Sequence, residues 1–405
     1  MIKLRSYFLF LFIILFIVAF KFYPFEDHAK PQVENTVPID IPELNPLLEI
    51  YKTIEQYDSI LSSEIIESGT VGAAIVITYK NQIAFQKCYG VKKTGEKDSI
   101  NKNTIFRLAS VSKTITGILA GMLSDEKIID LDDKVIDYIP GFQLKDSSNT
   151  HNLTVRNILS HTSGLVPHAY DNLVEDHVPF RLIMNDLDKV DISAQPGILY
   201  GYQNVIFSLY DTIATINTSK KYADLLHEKI FTPFKMTNAS TGFDNFKKST
   251  NKALPHNGSN GKFKTLRLNN RYYSTTPAAG VNASIFDMSQ FLLTLLNTES
   301  TAINNNVRDI VFTPEIISPL KSNYLRQWDN VDSKHYSIGW RLIGYKGRKV
   351  AYHGGYLQGY RAEIALCRDE DIGIAFLSNS PNNVGSKSVP TFLNLFFNLK
   401  DNNEI

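Results

Sequence analysis

The order of apolar and polar residues predicts strands near the two ends of the chain and helices between them. Two β-rich runs within residues 72–89 flank Lys80-Asn81, which is the pattern of a β-hairpin. Helical and loop patterns dominate from residue 104 to about 297. Strand patterns return in YSIGWRLIGY, KVAYHGG and YRAEIALCRDEDIGIAFLSNS, and VPTFLNLFFNL closes the chain as an amphipathic helix.

These patterns predict an α+β fold. Because a two-stranded hairpin is not stable alone, we expect the early hairpin to join the late strands in one antiparallel sheet flanked by helices. The sheet is then built from N- and C-terminal segments, and the long middle forms an inserted, mainly helical lobe. We expect the sheet lobe at about 47–105 and 330–400, and the helical lobe at about 106–329.

The N-terminus carries an export signal. Lys3 and Arg5 precede YFLFLFIILFIVAF, a run of 14 uncharged residues without a convincing cleavage site after it. The run is short for a membrane span of about 20 residues, but its flanks extend it. Residues 1–25 are predicted to be an uncleaved anchor in the bacterial inner membrane, with a cleaved signal peptide as the alternative. Either places the remainder on the outer, periplasmic face.

A polar, proline-rich stretch at 26–46 is predicted to be a linker, and 47–400 the folded domain. The chain has 405 residues and a formal net charge of +1, which gives no electrostatic footprint for nucleic acid. Two cysteines are no disulfide framework for this length. Cys88 and Cys367 are expected to be buried free thiols, with one bridge as the alternative.

The first candidate for chemistry is Ser110-x-x-Lys113, at the start of the apolar helix predicted over FRLASVSKTITGILAGML. Two interpretations compete: a capping serine with a snorkelling lysine, or a nucleophile with its base on one helix face. The same spacing recurs by chance at Ser124–Lys127 and Ser259–Lys262. Only Ser110 stands at a helix start, where free N–H groups favour an oxyanion.

Two further patterns add to this candidate. Tyr202-x-Asn204 follows a Pro-Gly turn and precedes an apolar helical run. His353 stands with two glycines at the end of a predicted strand, where glycine lets another group approach the backbone closely. Singly, each fits an ordinary core tyrosine or strand-end histidine. Ser163 in HTSG is expected to shape a loop, and no metal-ligand pattern or cofactor motif is present.

In this order, Ser110-x-x-Lys113, Tyr202-x-Asn204 and His353-Gly-Gly355 resemble the three motifs of the class C β-lactamase-like serine hydrolases. That superfamily includes penicillin-binding D,D-peptidases, D-aminopeptidases and esterases, and the resemblance covers about residues 48–380. It implies a hydrolase that works through an acyl-enzyme. It also implies the roles: Ser110, Lys113 and Tyr202 catalytic; Asn204, His353 and Gly355 substrate-binding; the backbone N–H groups of Ser110 and Tyr356 the oxyanion hole.

One departure decides between members of the superfamily. β-Lactamases of this type carry Lys-Thr-Gly at the third motif, where this chain has His353, a residue mostly neutral at pH 7 and expected to gain charge toward pH 6. A peptidase or esterase is therefore favoured, with a true β-lactamase and a non-catalytic penicillin-binding scaffold as alternatives. The expected partner is a small molecule or peptide: cell-wall peptide, D-amino-acid amide, ester or β-lactam.

Overall fold

The computed structural model describes residues 46–259, 261–319, 325–329 and 331–403. The predicted anchor at 1–25, and all of the predicted linker except Pro46, lie outside these residues. No helix within the described ranges is long and apolar enough to cross a membrane.

Helices and strands follow one another in chain order. The helices are α1 (Pro46–Ser68), α2 (Ser112–Asp125), α3 (Val135–Tyr138), α4 (Ser147–Asn152), α5 (Val155–Leu159), α6 (Asp171–Glu175), α7 (Phe180–Asn185), α8 (Asn204–Phe207), α9 (Leu209–Thr218), α10 (Tyr222–Leu226), α11 (Phe243–Lys248), α12 (Thr276–Ala279), α13 (Ile285–Leu296), α14 (Asn305–Phe312) and α15 (Val384–Asn403). The strands are β1 (Gly72–Tyr79), β2 (Gln82–Gly90), β3 (Ile105–Arg107), β4 (Ser240–Thr241), β5 (His256–Ser259), β6 (Lys262–Thr265), β7 (Val281–Ser284), β8 (Ile316–Ile317), β9 (Val331–Tyr336), β10 (Arg341–Tyr345), β11 (Arg348–Leu357), β12 (Tyr360–Cys367) and β13 (Ile372–Ser378).

Within the described residues, eight strands form an antiparallel sheet in the order β2-β1-β13-β12-β11-β10-β9-β8. The early hairpin joins the late strands through β1 and β13, where Ala73 pairs with Ser378. Lys80 and Asn81 both have positive φ, as a two-residue hairpin turn requires. The predicted α+β fold with one sheet from both ends of the chain is confirmed.

The sheet is buried on both faces, which explains why β1 has apolar residues at nearly every position. Ala73, Ile75 and Ile77 pack in a cluster with the terminal helices α1 and α15. Ala74 and Val76 pack in the cluster formed with the helical segment. Alternate residues of a strand point to opposite faces, so one strand serves both layers. The sheet thus holds the helical segment against its inner face.

The run YSIGWRLIGY was predicted as one strand, and that prediction is wrong. It forms two antiparallel strands: β9 ends at Tyr336, and β10 begins at Arg341 opposite it. Gly339 makes the intervening turn with a φ of +76°. A Cβ there would collide with the backbone of Lys113, so α2 lies backbone to backbone on this turn. The turn therefore brings Tyr336 and Arg341 close to the first turns of α2.

Other boundaries also differ from expectation. Two small sheets, β3-β7-β4 and β5-β6, lie partly or wholly within the span predicted to be helical. The closing helix α15 begins at Val384, five residues before the predicted apolar run. Cys88 and Cys367 are free thiols, as predicted; Cys367 is buried and Cys88 is half-buried.

Candidate active site

Ser110 lies in a short 3₁₀ turn, Ala109–Val111, between β3 and α2. Val111 is the N-cap of α2, with no side-chain capping bond, so Ser110 does not cap this helix. Ala109 has a φ of +48°, a conformation that L-residues other than asparagine and aspartate rarely adopt. The sharp turn leaves Ser110 half-buried on the cleft wall while Ala109 and Val111 are buried.

Lys113 does not snorkel to solvent. Its side chain is fully buried, and its Nζ donates to Asn204 Oδ1 at 2.7 Å and to the Ala278 carbonyl oxygen at 3.0 Å. The ammonium position also lies 4.7 Å from the centre of the Tyr202 ring. Of the two interpretations of Ser110-x-x-Lys113, the geometry excludes the capping serine with a snorkelling lysine.

The environment of Lys113 favours a neutral amine. Burial lowers its pKa well below the ordinary 10.5, and nearby Arg341 lowers it further, while Asp171 acts in the opposite direction. A neutral amine has two N–H groups and one lone pair. Because Asn204 and Ala278 accept two hydrogen bonds from this nitrogen, the lone pair stays available to take a proton. This environment is compatible with the role of base that the resemblance implies for Lys113.

Tyr202 lies in the extended segment just before α8 and is 7% exposed. Its ring packs against three imidazoles, with ring centres 4.3 Å from His161, 5.3 Å from His168 and 6.5 Å from His353. Tyr202 and Asn204 line the same cleft as Ser110. The fold therefore gathers the first two motifs at one cavity, although Lys113 and Asn204 are 91 residues apart in sequence.

Asp171 and His168 are site residues that sequence analysis missed. Asn204 Nδ2 donates to both carboxylate oxygens of Asp171, at 2.9 and 3.1 Å, and His168 Nδ1 lies 2.8 Å from Oδ2 of the same group. This fixes the Asn204 amide so that its oxygen faces Lys113. Nothing in the local sequence HAYDN indicates this role, because it depends on a contact across 33 residues.

His353 lies inside β11 rather than at a strand end, because β11 continues to Leu357. Its side chain is fully buried: Nδ1 lies 2.9 Å from the Gly354 carbonyl oxygen, and Nε2 lies 3.2 Å from the Tyr336 hydroxyl. A carbonyl only accepts, so Nδ1 carries the proton and Nε2 accepts from Tyr336. His353 is not among the described residues that line the cleft.

The expectation that His353 gains charge toward pH 6 is wrong. Burial lowers its pKa well below the ordinary 6.5, and the nearby Arg341 and Lys113 lower it further. We predict that the His353 ring signals in NMR keep their chemical shifts from pH 7.5 to 5.5, with free imidazole in the buffer as the titrating reference. His353→Gln assigns the signals, and a titration midpoint near pH 6 would contradict the prediction.

Gly355 lets β11 approach the turn that carries Ser110. An added Cβ would stand 3.1 Å from the Ser110 backbone nitrogen and would run into the Leu108 carbonyl oxygen. The next residue, Tyr356, has a side chain that is 55% exposed and lines the cleft. The backbone beside Ser110 is therefore packed too closely for any larger residue, and the oxyanion hole of Ser110 and Tyr356 stays a prediction.

Gly355→Ala is expected to slow acylation of Ser110 by about 10²–10³-fold, the effect of losing one oxyanion donor, because the new methyl displaces the turn. The overpacking also lowers the free energy of unfolding by about 1–3 kcal/mol. Gly347→Ala is the control: it lies in open space in the β10–β11 turn with a φ of +73°. It should lose stability while keeping the acylation rate, measured with a chromogenic activated ester. Equal rates in both variants would contradict the prediction.

The cleft is a cavity of about 340 Å³, within the range for small-molecule sites. Its predicted site residues are Ser110, Tyr202, Asn204 and Tyr356. Its charged lining is mixed, with carboxylates at Asp171 and Glu175 and a guanidinium at Arg271. Within the described ranges, no group of three or more His, Cys, Asp or Glu side chains is arranged to hold a metal ion.

Ser163 was predicted to shape a loop. It is buried, and its Oγ accepts a hydrogen bond from the Leu165 backbone N–H at 3.4 Å. It is not among the described residues that line the cleft. Its contacts are those of a loop residue.

Comparison with known proteins gives a consistent result. The profile of a family described as Beta-lactamase matches residues 51–395. Beta-lactamase-like protein 2 of Dictyostelium discoideum is 27% identical over 354 residues, 84% of this chain and 61% of that protein. Protein flp of Staphylococcus aureus (strain COL) is 23% identical over 335 residues, 80% of this chain and 63% of that protein. The chain thus spans about three fifths of the length of these curated relatives.

Two solved structures share the fold. The octameric penicillin-binding protein homologue from Pyrococcus abyssi superposes with a TM-score of 0.73 at 20% identity, over 84% of this chain and 77% of that one. The β-lactamase/D-alanine carboxypeptidase from Yersinia pestis, complexed with citrate, superposes with a TM-score of 0.70 at 19% identity, over 88% of this chain and 100% of that one.

Proposed function

Because the chain belongs to the β-lactamase family, we propose that it is a serine hydrolase that cleaves an amide or ester through an acyl-enzyme on Ser110. The observation that carries this proposal is the state of Lys113. It is wholly buried, three residues after Ser110, with two carbonyl oxygens accepting from its nitrogen. A buried lysine held in this way has the character of a base rather than of a surface charge.

The proposed reaction has two halves. Ser110 Oγ attacks the substrate carbonyl carbon, and its proton passes to the Lys113–Tyr202 pair. The tetrahedral oxyanion accepts from the backbone N–H groups of Ser110 and Tyr356. The bond to the leaving group then breaks, and the leaving group takes the proton. Water attacks the ester carbonyl carbon and gives a proton to the same pair. The bond to Ser110 Oγ then breaks, this oxygen takes that proton from the pair, and the acid is released.

The substrate is proposed to be a small molecule or peptide, and the activity that of a peptidase or esterase. Asn204 is proposed to bind the acyl-side amide, and its lining of the same cleft as Ser110 supports this role. The third motif carries a neutral, buried His353, which offers no cation to a substrate carboxylate. A charge-assisted hydrogen bond of this kind is worth about 1.5–3 kcal/mol. A β-lactamase that relied on the third motif to bind the substrate carboxylate would lack this hydrogen bond.

A true β-lactamase is the second candidate, and Arg271 favours it. Arg271 lines the cleft and presents a guanidinium, whose forked N–H groups suit a carboxylate. Turnover of four test substrates separates the two candidate activities. They are a D-aminoacyl amide, a cell-wall peptide, a small ester and a chromogenic cephalosporin. Faster turnover of the cephalosporin, lost in Arg271→Gln, would replace the first proposal by the second.

The test of the proposed function uses the full chain in detergent with a fluorophosphonate probe. Labelling of the wild type supports a hydrolase, because the probe reacts with an activated serine. No labelling at any probe concentration would indicate a non-catalytic scaffold instead.

We also propose that the protein is anchored in the bacterial inner membrane with its folded domain on the outer face. The support is Lys3 and Arg5 ahead of the uncharged run 7–20. The chain is expected in the membrane fraction after alkaline washing, and protease added to the outer side should release the folded domain. A soluble mature chain that starts near Phe20 would show a cleaved signal peptide instead.

A further inference from the structure

A buried arginine outside the three motifs lies beside Lys113 and Tyr202. Arg341 begins β10, where it pairs with Tyr336 of β9 and Tyr352 of β11, and it is 7% exposed. Its Nη1 donates to the Tyr200 hydroxyl at 3.0 Å. Its Cζ lies 5.4 Å from the centre of the Tyr202 ring and 5.5 Å from that of Tyr336. The guanidinium is thus set among phenol rings.

This setting keeps the guanidinium charged. Burial by itself lowers the pKa of Arg341, but the phenols of Tyr200, Tyr336 and Tyr202 outweigh it and leave the pKa above its ordinary value. Arginine is in any case protonated throughout the pH range in which proteins fold. The site therefore contains a permanent positive charge that does not come from the third motif.

We propose that Arg341 is a positioning residue: it supplies a permanent buried positive charge beside Lys113 and Tyr202. This charge keeps the two side chains unprotonated, so that they can accept a proton from Ser110. The inference rests on the proposed function. The positive charge of the site then comes from Arg341 on β10. The third motif, on β11, supplies none, since His353 is a neutral, buried ring.

The physical argument is Coulombic. A cation within about 6 Å of a phenol favours the phenolate form. The same cation disfavours the ammonium form of a neighbouring amine. Lys113 and Arg341 both lie close to the Tyr202 ring, at 4.7 and 5.4 Å. In a dry site such effects are larger than in water. Arg341 therefore acts in the same direction on either member of the pair.

Other ionisable groups face the pair from every element packed around it. They are His161 and His168 of the preceding loop, Asp171 of α6, Tyr200, Tyr336 of β9 and His353 of β11. Burial lowers the pKa values of His161 and His353 well below 6.5, so these rings stay neutral. Asp171 opposes Arg341, because its carboxylate favours the ammonium form of Lys113. Removal of Arg341 would leave burial alone to oppose the effect of Asp171 on Lys113.

The experiment measures the rate of fluorophosphonate labelling against pH in full-length wild type, Arg341→Met and Arg341→Lys. The base must be unprotonated, so the rate rises with pH through the midpoint of the pair. Loss of the cation raises that midpoint: we expect a shift of about 1–3 pH units upward in Arg341→Met, and a rate at pH 7 at least about tenfold lower. Arg341→Lys keeps a charge and should keep most of the wild-type midpoint.

A lower rate at every pH with an unchanged midpoint would overturn the proposal, because it would show a packing role only. Arg341→Gln is the second variant if Arg341→Met does not fold; it removes the charge while keeping N–H groups that can donate toward Tyr200, and the same upward shift is expected there. An unchanged midpoint in Arg341→Gln would then count against Arg341. Wild type that does not label overturns the proposed function itself, whereas labelled wild type with unshifted variants overturns only the role of Arg341.

Discussion

Ser110→Ala will abolish turnover and covalent labelling while leaving the fold intact. The variant lacks the oxygen that forms the acyl bond, so no residual route through this site exists. The side chain is half-buried in a short turn and does not cap α2, so its loss should leave the melting temperature nearly unchanged. Turnover of the best substrate and the melting temperature are measured on the same preparation.

The chain offers a matched control for this variant. Ser124 begins a second Ser-x-x-Lys, with Lys127, at the other end of α2. Ser124→Ala should keep both labelling and turnover. Wild-type turnover in Ser110→Ala, or an equal loss in Ser124→Ala, would contradict the assignment of the nucleophile.

Lys113→Met will lower kcat/KM by about 10²–10⁴-fold, the usual contribution of a general base, and will also stabilise the fold. Lys113 is fully buried, and burial lowers its pKa well below 10.5. The unfolded chain therefore binds a proton near neutral pH that the folded chain excludes, and the stability rises with pH between the folded and unfolded pKa values. Methionine fills a similar volume without this cost.

Urea unfolding at pH 7 and pH 9 checks the second half of this prediction. The wild type should gain more stability than Lys113→Met between the two pH values, and the variant should be at least as stable at pH 7. Lys127→Met replaces the exposed lysine of the second Ser-x-x-Lys pattern and is the control. It should change neither the activity nor the pH dependence of stability. A loss of stability in Lys113→Met would mean that its hydrogen bonds to Asn204 and Ala278 outweigh the burial of the amine.

The sheet and the candidate residues were predictable because they depend on local patterns. The hairpin around Lys80-Asn81 consists of two β-rich runs joined by a two-residue turn, and its first strand pairs with a late strand, β13. Ser110-x-x-Lys113 and Tyr202-x-Asn204 can each be recognised within four residues of chain or fewer. Their order along the chain matches that of the class C β-lactamase-like hydrolases, and this resemblance predicted that they meet.

The residues that were missed act through contacts that no local pattern records. Asp171 orients Asn204 across 33 residues, and Arg341 lies near Tyr202 across 139 residues. Arg341 lies in a run that was predicted to be strand, and Gly339 within that run turns the chain against the backbone of α2. His353 was expected at a strand end, but β11 continues past it and the hydroxyl of Tyr336 covers it from another strand.

The central claim is an acyl-enzyme on Ser110, and trapping it is the most direct measurement. Full-length protein is mixed with an activated ester, quenched in acid within the first turnover, digested and analysed by mass spectrometry. The account predicts that the acyl mass appears on the peptide containing Ser110, and on no peptide of Ser110→Ala. An acyl group on another residue, such as Ser163, or turnover with no acylated peptide at all, would contradict it.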